Sequence, residues 1–409
     1  MSISSAMYTG LTGLSSNGEA MGVLGDNIAN LSTTGFKYSQ VHFEDLMAQM
    51  VSTGSGPGQE GRGGRISEIT PIFSQGSLET SADDVDVAIT GTGFLIVREP
   101  TAQTVYYTRD GNFSLNKDGY LVNAHGYNVQ GKVMDPATGT GTGTDVDIVI
   151  QANFSPPAPT ANMDMVLNLD ANAVVTDTYS SAVAIYDSQG NSHTVNMTFE
   201  RTVVGPPDEW EVTGTLDGTT PIPIDGGAPI PLTFNANGTL TAGGDYSLDL
   251  TGLVPGDPTV RLLMTGTNGG STTQYAASSV TNYASQDGYG PGYLQRVSIN
   301  NEGIITGNYS NGQIIPLYQL TLARFNAPTK LHREGSNMYT ETQDSGVPLT
   351  GAPSTNGLGS ITANSLEQSN VDLGGQFVHM IIYQRAFQAN SRVITTSDTL
   401  LEEVLSLKR

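Results

Sequence analysis

The sequence predicts a mixed, mainly β fold: two β-rich domains, the outer one inserted in the inner one, with N- and C-terminal helices pairing as an α-helical coiled coil. Three observations carry that prediction. Apolar residues recur every seven positions at both ends of the chain and not between them. The middle replaces that period with short alternating runs separated by Gly, Asn and Asp turns. With 49 Gly and 20 Pro among 409 residues, and only 14% charged, the chain must also turn often.

At the N-terminus Met7, Leu14, Met21 and Ile28 fall in sevens, with Leu11 between the first two. Gly10, Gly13, Gly18, Gly22 and Gly25 share the stretch, and each lowers helix stability by about 1 kcal/mol relative to Ala. The segment is therefore expected to be helical only where neighbours pack on it. At the C-terminus Leu366, Leu373, Met380, Phe387, Ile394 and Leu401 keep the same spacing. Phe377, Ile381, Val404 and Leu405 widen that stripe, and the helix is expected over Val371–Leu407. We assign residues 1–31 and 364–409 to the terminal helices and 32–71 to a linker whose Thr53–Arg65 stretch is a Gly-rich loop. Residues 72–150 and 280–363 form the inner β domain, and 151–279 the inserted outer β domain.

Within the inner domain, Val85–Ile89 and Phe94–Val97 read as strands around Gly91-Thr92-Gly93. Two hairpins follow, Phe113–Val122 around Asn116–Gly119 and Val297–Ile305 around Asn300–Gly303. The insertion opens on the Pro-rich Phe154–Pro159. Its strands are expected at Ala182–Tyr186, Thr194–Phe199, Trp210–Thr215 and Val260–Met264, with turns at Ser188–Asn191 and Asn235–Gly238. Thr53–Arg65 and Phe154–Pro159 are expected to be the loosest connections in the chain.

The charge distribution narrows function. A net charge of −22 argues against nucleic-acid binding. Between Asp145 and Val280 the only bases are Arg201 and Arg261, against 15 acids, whereas both ends are near neutral. Near-neutral ends and an acidic middle fit an assembly with buried termini and a solvated exterior. The chain has no Cys, which removes disulfides, thiolate catalysis and Cys-based metal sites. The N-terminal 35 residues lack the basic and apolar regions of a cleaved signal, and no apolar run is long enough to span a membrane.

No catalytic or cofactor motif survives inspection. Gly126–Val133 approaches a phosphate loop, but Val133 replaces the metal-binding hydroxyl, and we read it as a β-turn region. Gly56–Gly61 matches dinucleotide spacing without a preceding strand. The five His are never paired at helical metal-binding spacing. Asp83, Asp84 and Asp86 are read as turn acids rather than a calcium site. No catalytic residue, cofactor or metal is expected.

Four blocks then resemble one family. Leu24–Lys37, holding Asn27, Asn30, Gly35 and Phe36, resembles the N-terminal signature of the bacterial flagellar rod and hook axial proteins. Gln75–Phe94 and Tyr107–Val122 resemble its next blocks. Ser369–Leu373 with Gln384-Arg385-Ala386-Phe387-Gln388-Ala389-Asn390 resembles its closing helix. The long insertion, with Tyr309–Gln313, Leu322–Phe325 and Gly335–Asn337, fits the hook branch rather than the shorter rod branch.

The resemblance implies a non-enzymatic subunit that self-assembles into a curved helical tube, a universal joint carrying motor torque to the filament. It also implies partners: further copies of the chain, the distal rod protein, the hook cap, the hook–filament junction proteins and the flagellar export apparatus. The implied location is outside the cell, in the flagellum, reached without a cleaved signal peptide. The seam Met7, Leu11, Leu14, Met21 and Ile28 is expected to pack on Leu373, Phe377, Met380, Phe387, Ile394 and Leu401. Two other readings stay open at this point: a distal rod protein with an unusual insertion, and an extracellular carbohydrate-binding or glycosidase module.

Overall fold

The computed structural model describes residues 3–53, 56–135, 139–150, 154–205, 207–227, 231–256, 259–265 and 270–406. It is mainly β with two long helices, α1 (Ile3–Ala29) and α2 (Leu373–Ser406). By internal contacts it divides into two units. The first comprises residues 1–151, 297–307 and 315–409, and the second residues 152–296 and 308–314.

In the first unit the chain's outgoing and returning ends are stitched together strand by strand. Leu78–Thr80 pairs antiparallel with Ser365–Glu367, and Val87–Thr90 with Ser360–Ala363. Val87–Thr90 does not pair with Phe94–Arg98 across the Gly91–Gly93 turn; each joins a different sheet. Phe94–Arg98 instead lies between Val105–Thr108 and Asn128–Asp135. That sheet buries an aromatic core in which Phe94 meets Phe73, Phe325 and Tyr339 edge-on, at centroid distances of 5.2, 6.0 and 5.9 Å. Gly126 forms a turn, and the rest of the near-phosphate-loop stretch is the strand Asn128–Asp135.

The expected hairpins form, and their turns share one chemistry. In Asn116–Gly119 and Asn300–Gly303 the leading Asn accepts backbone N–H bonds two and four residues on, while the closing Gly takes positive φ. Asn123–Gly126, Asp187–Gly190 and Asn235–Gly238 repeat the device.

The second unit folds around one large core that includes Trp210, Tyr246, Phe199, Phe234, Met163 and Leu262. Two sheets supply it. One is ordered Asp245–Asp249, Thr259–Leu263, Asn162–Asn168, Val280–Gln286; the other begins Thr178–Tyr186, Ser192–Val203, Asp208–Leu216. The unit extends past the expected boundary at Ser279 because Val280–Gln286 is in register with Asn162–Asn168.

Three further expectations change. The C-terminal helix starts at Leu373, because Ser365–Glu367, with Leu366, is claimed by strand pairing; Leu407 lies outside the described residues. Most of the linker is paired rather than loose. β1 (Ser39–Asp45) pairs with β4 (Gly64–Pro71), and β2 (Gln49–Thr53) with β3 (Gly56–Glu60); Gly54 and Ser55 lie outside the described residues. In the Pro-rich crossing, Ala158 and Tyr289 exchange two backbone bonds of 3.0 Å each, so this stretch too is held.

Candidate assembly surface

α1 and α2 pack antiparallel. A Cβ at Gly10 would lie 3.0 Å from Ile394 Cγ1, and one at Gly13 would lie 2.6 Å from Asn390 Nδ2. At the far end Asn27 Nδ2 donates to Gln376 Oε1 at 3.1 Å. Two of the glycines that weaken an isolated helix are thus where α2 comes closest.

On α2 the covered positions are Gln376, Met380, Tyr383, Phe387, Asn390, Ile394, Ser397 and Leu401, alternating by four and three. Met380, Phe387, Ile394 and Leu401 were legible as the apolar line. The polar alternates Gln376, Tyr383 and Ser397 were missed, and Asn390 was read as a motif residue rather than a seam one; each lies three residues after an apolar one, and that offset was the available signal. On α1 the covered line is Gly10, Gly13, Asn17, Ala20, Leu24 and Asn27, with Ser16 buried beside it. Met7, Leu14, Met21 and Ile28 flank this line, half-buried.

Three expected seam residues lie outside the intrachain seam. Leu11 is 54% exposed, Phe377 47% and Leu373 37%. The reason is helical phase: the covered line on α2 runs through Gln376, Met380 and Tyr383 and that on α1 through Gly10 and Gly13, which leaves Leu373, Phe377 and Leu11 to one side of it. Val378, Ile381, Ile382, Val393, Leu400, Val404 and Leu405 are exposed as well.

Below the helices lies a buried polar neck. Asn27 accepts from Ser39 N (2.8 Å) and donates to Ser39 O (2.8 Å), fixing the start of β1 against α1. Asn30 donates to Asp26 O at 2.9 Å and accepts from Thr33 Oγ1 at 3.1 Å, closing the helix end. Gly35 has φ +68°, and a Cβ there would lie 2.7 Å from Asp110 N. Phe36 is fully buried, with the Arg333 guanidinium 4.8 Å above its ring.

Behind it Lys37 Nζ donates to Glu367 Oε1 (2.6 Å) and Ser74 O (2.8 Å), and Arg109 Nη1 reaches Glu367 Oε2 at 3.4 Å. Burial drives the Lys37 ammonium below its ordinary pKa against the pull of Glu367, and it lowers Arg109 in the same way. This triad was not foreseen; two of its members stood inside the family blocks without being read as charges. Of the remaining motif residues, Gln384, Arg385 and Gln388 are exposed on α2, away from the neck, and Asn390 is in the seam. Asp84 and Asp86 bind Asn364 Nδ2 and Phe113 N as turn acids.

Comparison with known proteins agrees along the whole chain. Residues 7–37 match the flagella basal body rod protein family, and 88–156 the flagellar hook protein FlgE/F/G D1 domain. Residues 158–289 match the flagellar basal body protein FlaE D2 domain, and 362–407 the flagellar basal body rod FlgEFG protein C-terminal family. The flagellar hook protein FlgE of Treponema pallidum (strain Nichols) is 34% identical over 99% of both chains. That of Escherichia coli (strain K12) is 34% identical over 98% of this chain and all of its own. The crystal structure of Helicobacter pylori flagellar hook protein FlgE2 shares the fold, with a TM-score of 0.52 at 16% identity over 71% of this chain and all of that one. The class so defined is that of flagellar axial structural proteins. Within it, the chain belongs to the flagellar hook protein FlgE family.

Proposed function

We propose that this chain is the structural subunit of a flagellar hook, polymerising into a curved helical tube that passes motor torque to the filament as a universal joint. The observation that carries the reading is the apolar surface the helix pair leaves uncovered: small and polar residues alternate with Met380, Phe387, Ile394 and Leu401 in its own seam, while Val378, Ile381, Ile382, Val393, Leu400 and Val404 face outward. Burying one such side chain contributes about 1.5–3 kcal/mol, so the pair gains most of its stability when other copies cover it. Contacts of that kind are head-to-tail and give an open helix rather than a closed ring.

In this reading the second unit is the inserted outer domain, whose acidic surface makes hydrated, weakly bonded contacts as the tube bends. The terminal helices, which belong to the first unit, line the tube's inner wall. The working partners are further copies of the chain, then the distal rod protein, the hook cap and the hook–filament junction proteins. The chain leaves the cell through the flagellar export apparatus without a cleaved signal and has no enzymatic role. Among the described residues no helix is long and apolar enough to cross a membrane.

Electron microscopy of basal bodies from a strain lacking the gene tests the reading. Complete rods without hooks are expected; rods truncated before the outer rings make the chain a rod protein instead. Phe387→Asp, which puts a charge into the helix seam, is expected to abolish tubes while both β units stay folded. Normal motility in that strain overturns the helix-pair model.

A further inference from the structure

We propose that the Val378–Ile381–Ile382–Arg385 face of α2 docks on the α1 helix of a second copy of this chain, with Arg385 paired to that copy's Glu19. The proposal rests on the assembly reading above and names the contact that sets its register.

The four residues stand at i, i+3, i+4 and i+7, one continuous stripe on the side of α2 turned away from its own α1. The three apolar members are each more than half exposed, and among the described residues Arg385 has no ion-pair partner. The corresponding outward stripe of α1 holds Glu19, Gly22, Gly25 and Asp26. Glu19 and Asp26 are the helix's only charges, and both are exposed. Among the described residues Glu19 takes only a 3.3 Å contact from Ser15 Oγ.

Charge and shape are therefore complementary between the two stripes: an apolar ridge ending in a cation, and a small-residue channel edged by the Glu19 carboxylate, Asp26 being held by Arg333 at 3.5 Å and Asn30 at 3.0 Å. Gly10 and Gly13 are accounted for by α2 of the same chain. A Cβ at Gly22 or Gly25 would meet nothing within 4 Å. Those two glycines weaken the helix without serving the fold of the single chain, and close approach of another chain accounts for them.

Register gives the third argument. The antiparallel contacts Gly10–Ile394, Gly13–Asn390 and Asn27–Gln376 put Glu19 level with Arg385 and Gly22 level with Ile382. A neighbour displaced around a tube axis, with little shift along it, therefore brings its Glu19 to the height of Arg385 and its Gly22 under Ile382. A shift by one helical turn breaks both matches at once.

The test uses the purified full-length chain, polymerised and scored by pelleting and negative-stain microscopy. Glu19→Arg and Arg385→Glu are each expected to lower tube yield about fivefold, and the double charge reversal to restore it. Because the chain has no Cys, Glu19→Cys combined with Arg385→Cys gives a second readout. Oxidised tubes are expected to run as a ladder of disulfide-linked multimers, and oxidised monomers as single chains. Single reversals that polymerise like wild type, a double no better than the singles, or the lack of a ladder overturn the pairing alone. A wild-type chain that forms no tubes under any condition overturns the assembly reading and the pairing with it.

Discussion

Glu367 holds two cations out of water at once, and the neck depends on it. Its carboxylate takes Lys37 on one oxygen and Arg109 on the other, and Gly76 N donates to it as well at 2.9 Å. Glu367→Gln leaves both cations buried without a counter-charge, a loss of about 3–5 kcal/mol that urea unfolding of the full chain measures directly. His193 is the corresponding sensitive residue of the second unit. Its Nδ1 faces Asp217 Oδ2 at 3.0 Å and its Nε2 faces Asp187 Oδ2 at 3.4 Å. The hydrogen bond to Asp217 raises the imidazole above its ordinary pKa, with burial opposing and Asp187 assisting. Burial works against Asp187, yet bonds from Asn191, His193 and Gln189 hold it down to about 2. The raised imidazole stabilises the fold below about pH 6.5, and that contribution is lost as pH rises through its folded pKa. The depressed carboxylate contributes above about pH 4, and its contribution is lost as pH falls toward 2. Asp217→Asn is expected to move the His193 titration, followed by histidine NMR, toward lower pH; an unchanged midpoint contradicts this assignment.

At the scale of elements, legibility followed apolar spacing and turn chemistry. The sevens at Met380, Phe387, Ile394 and Leu401 located α2, and Asn–x–x–Gly located the hairpins, because each signal is contained in a few neighbouring residues. Long-range pairing is not contained that way. Nothing near Leu366 announces that it will be drawn into a strand by Leu78–Thr80, nearly three hundred residues away. Glycine was legible in part: the segment was expected to be helical only where neighbours pack on it, and Gly10 and Gly13 are points of contact with α2, but which glycines would serve that contact was not in the local sequence. The same logic predicts opposite outcomes for different glycines. At Gly22 and Gly25 the chain itself offers no obstruction, so Gly22→Ala and Gly25→Ala should each stabilise α1 in the monomer by up to about 1 kcal/mol. Thermal melts followed by circular dichroism read that gain. Gly10→Ala should give none, since its new methyl group meets Ile394 at 3.0 Å and Asn390 O at 3.4 Å.

For the whole molecule, charge decides the conditions under which copies can come together. The chain carries −22, held almost entirely between the helices rather than on them. Bringing copies side by side sets these acidic regions against one another, and the resulting repulsion opposes the apolar gain at the helices. Salt weakens the first effect and hardly touches the second. The screening length shrinks from about 30 Å at 0.01 M to about 8 Å at 0.15 M ionic strength, shorter than the spacing between neighbouring domains of this size. A single Glu19–Arg385 contact, exposed in the monomer, is weakened by salt too, but such a pair contributes at most about 1 kcal/mol. The net expectation is that the critical concentration for polymerisation falls about tenfold between 10 and 150 mM NaCl, equivalent to about 1.4 kcal/mol per added subunit. Pelleting across a salt series measures it. A critical concentration that rises with salt places the dominant attraction in ionic contacts and removes the apolar helix faces from their central role.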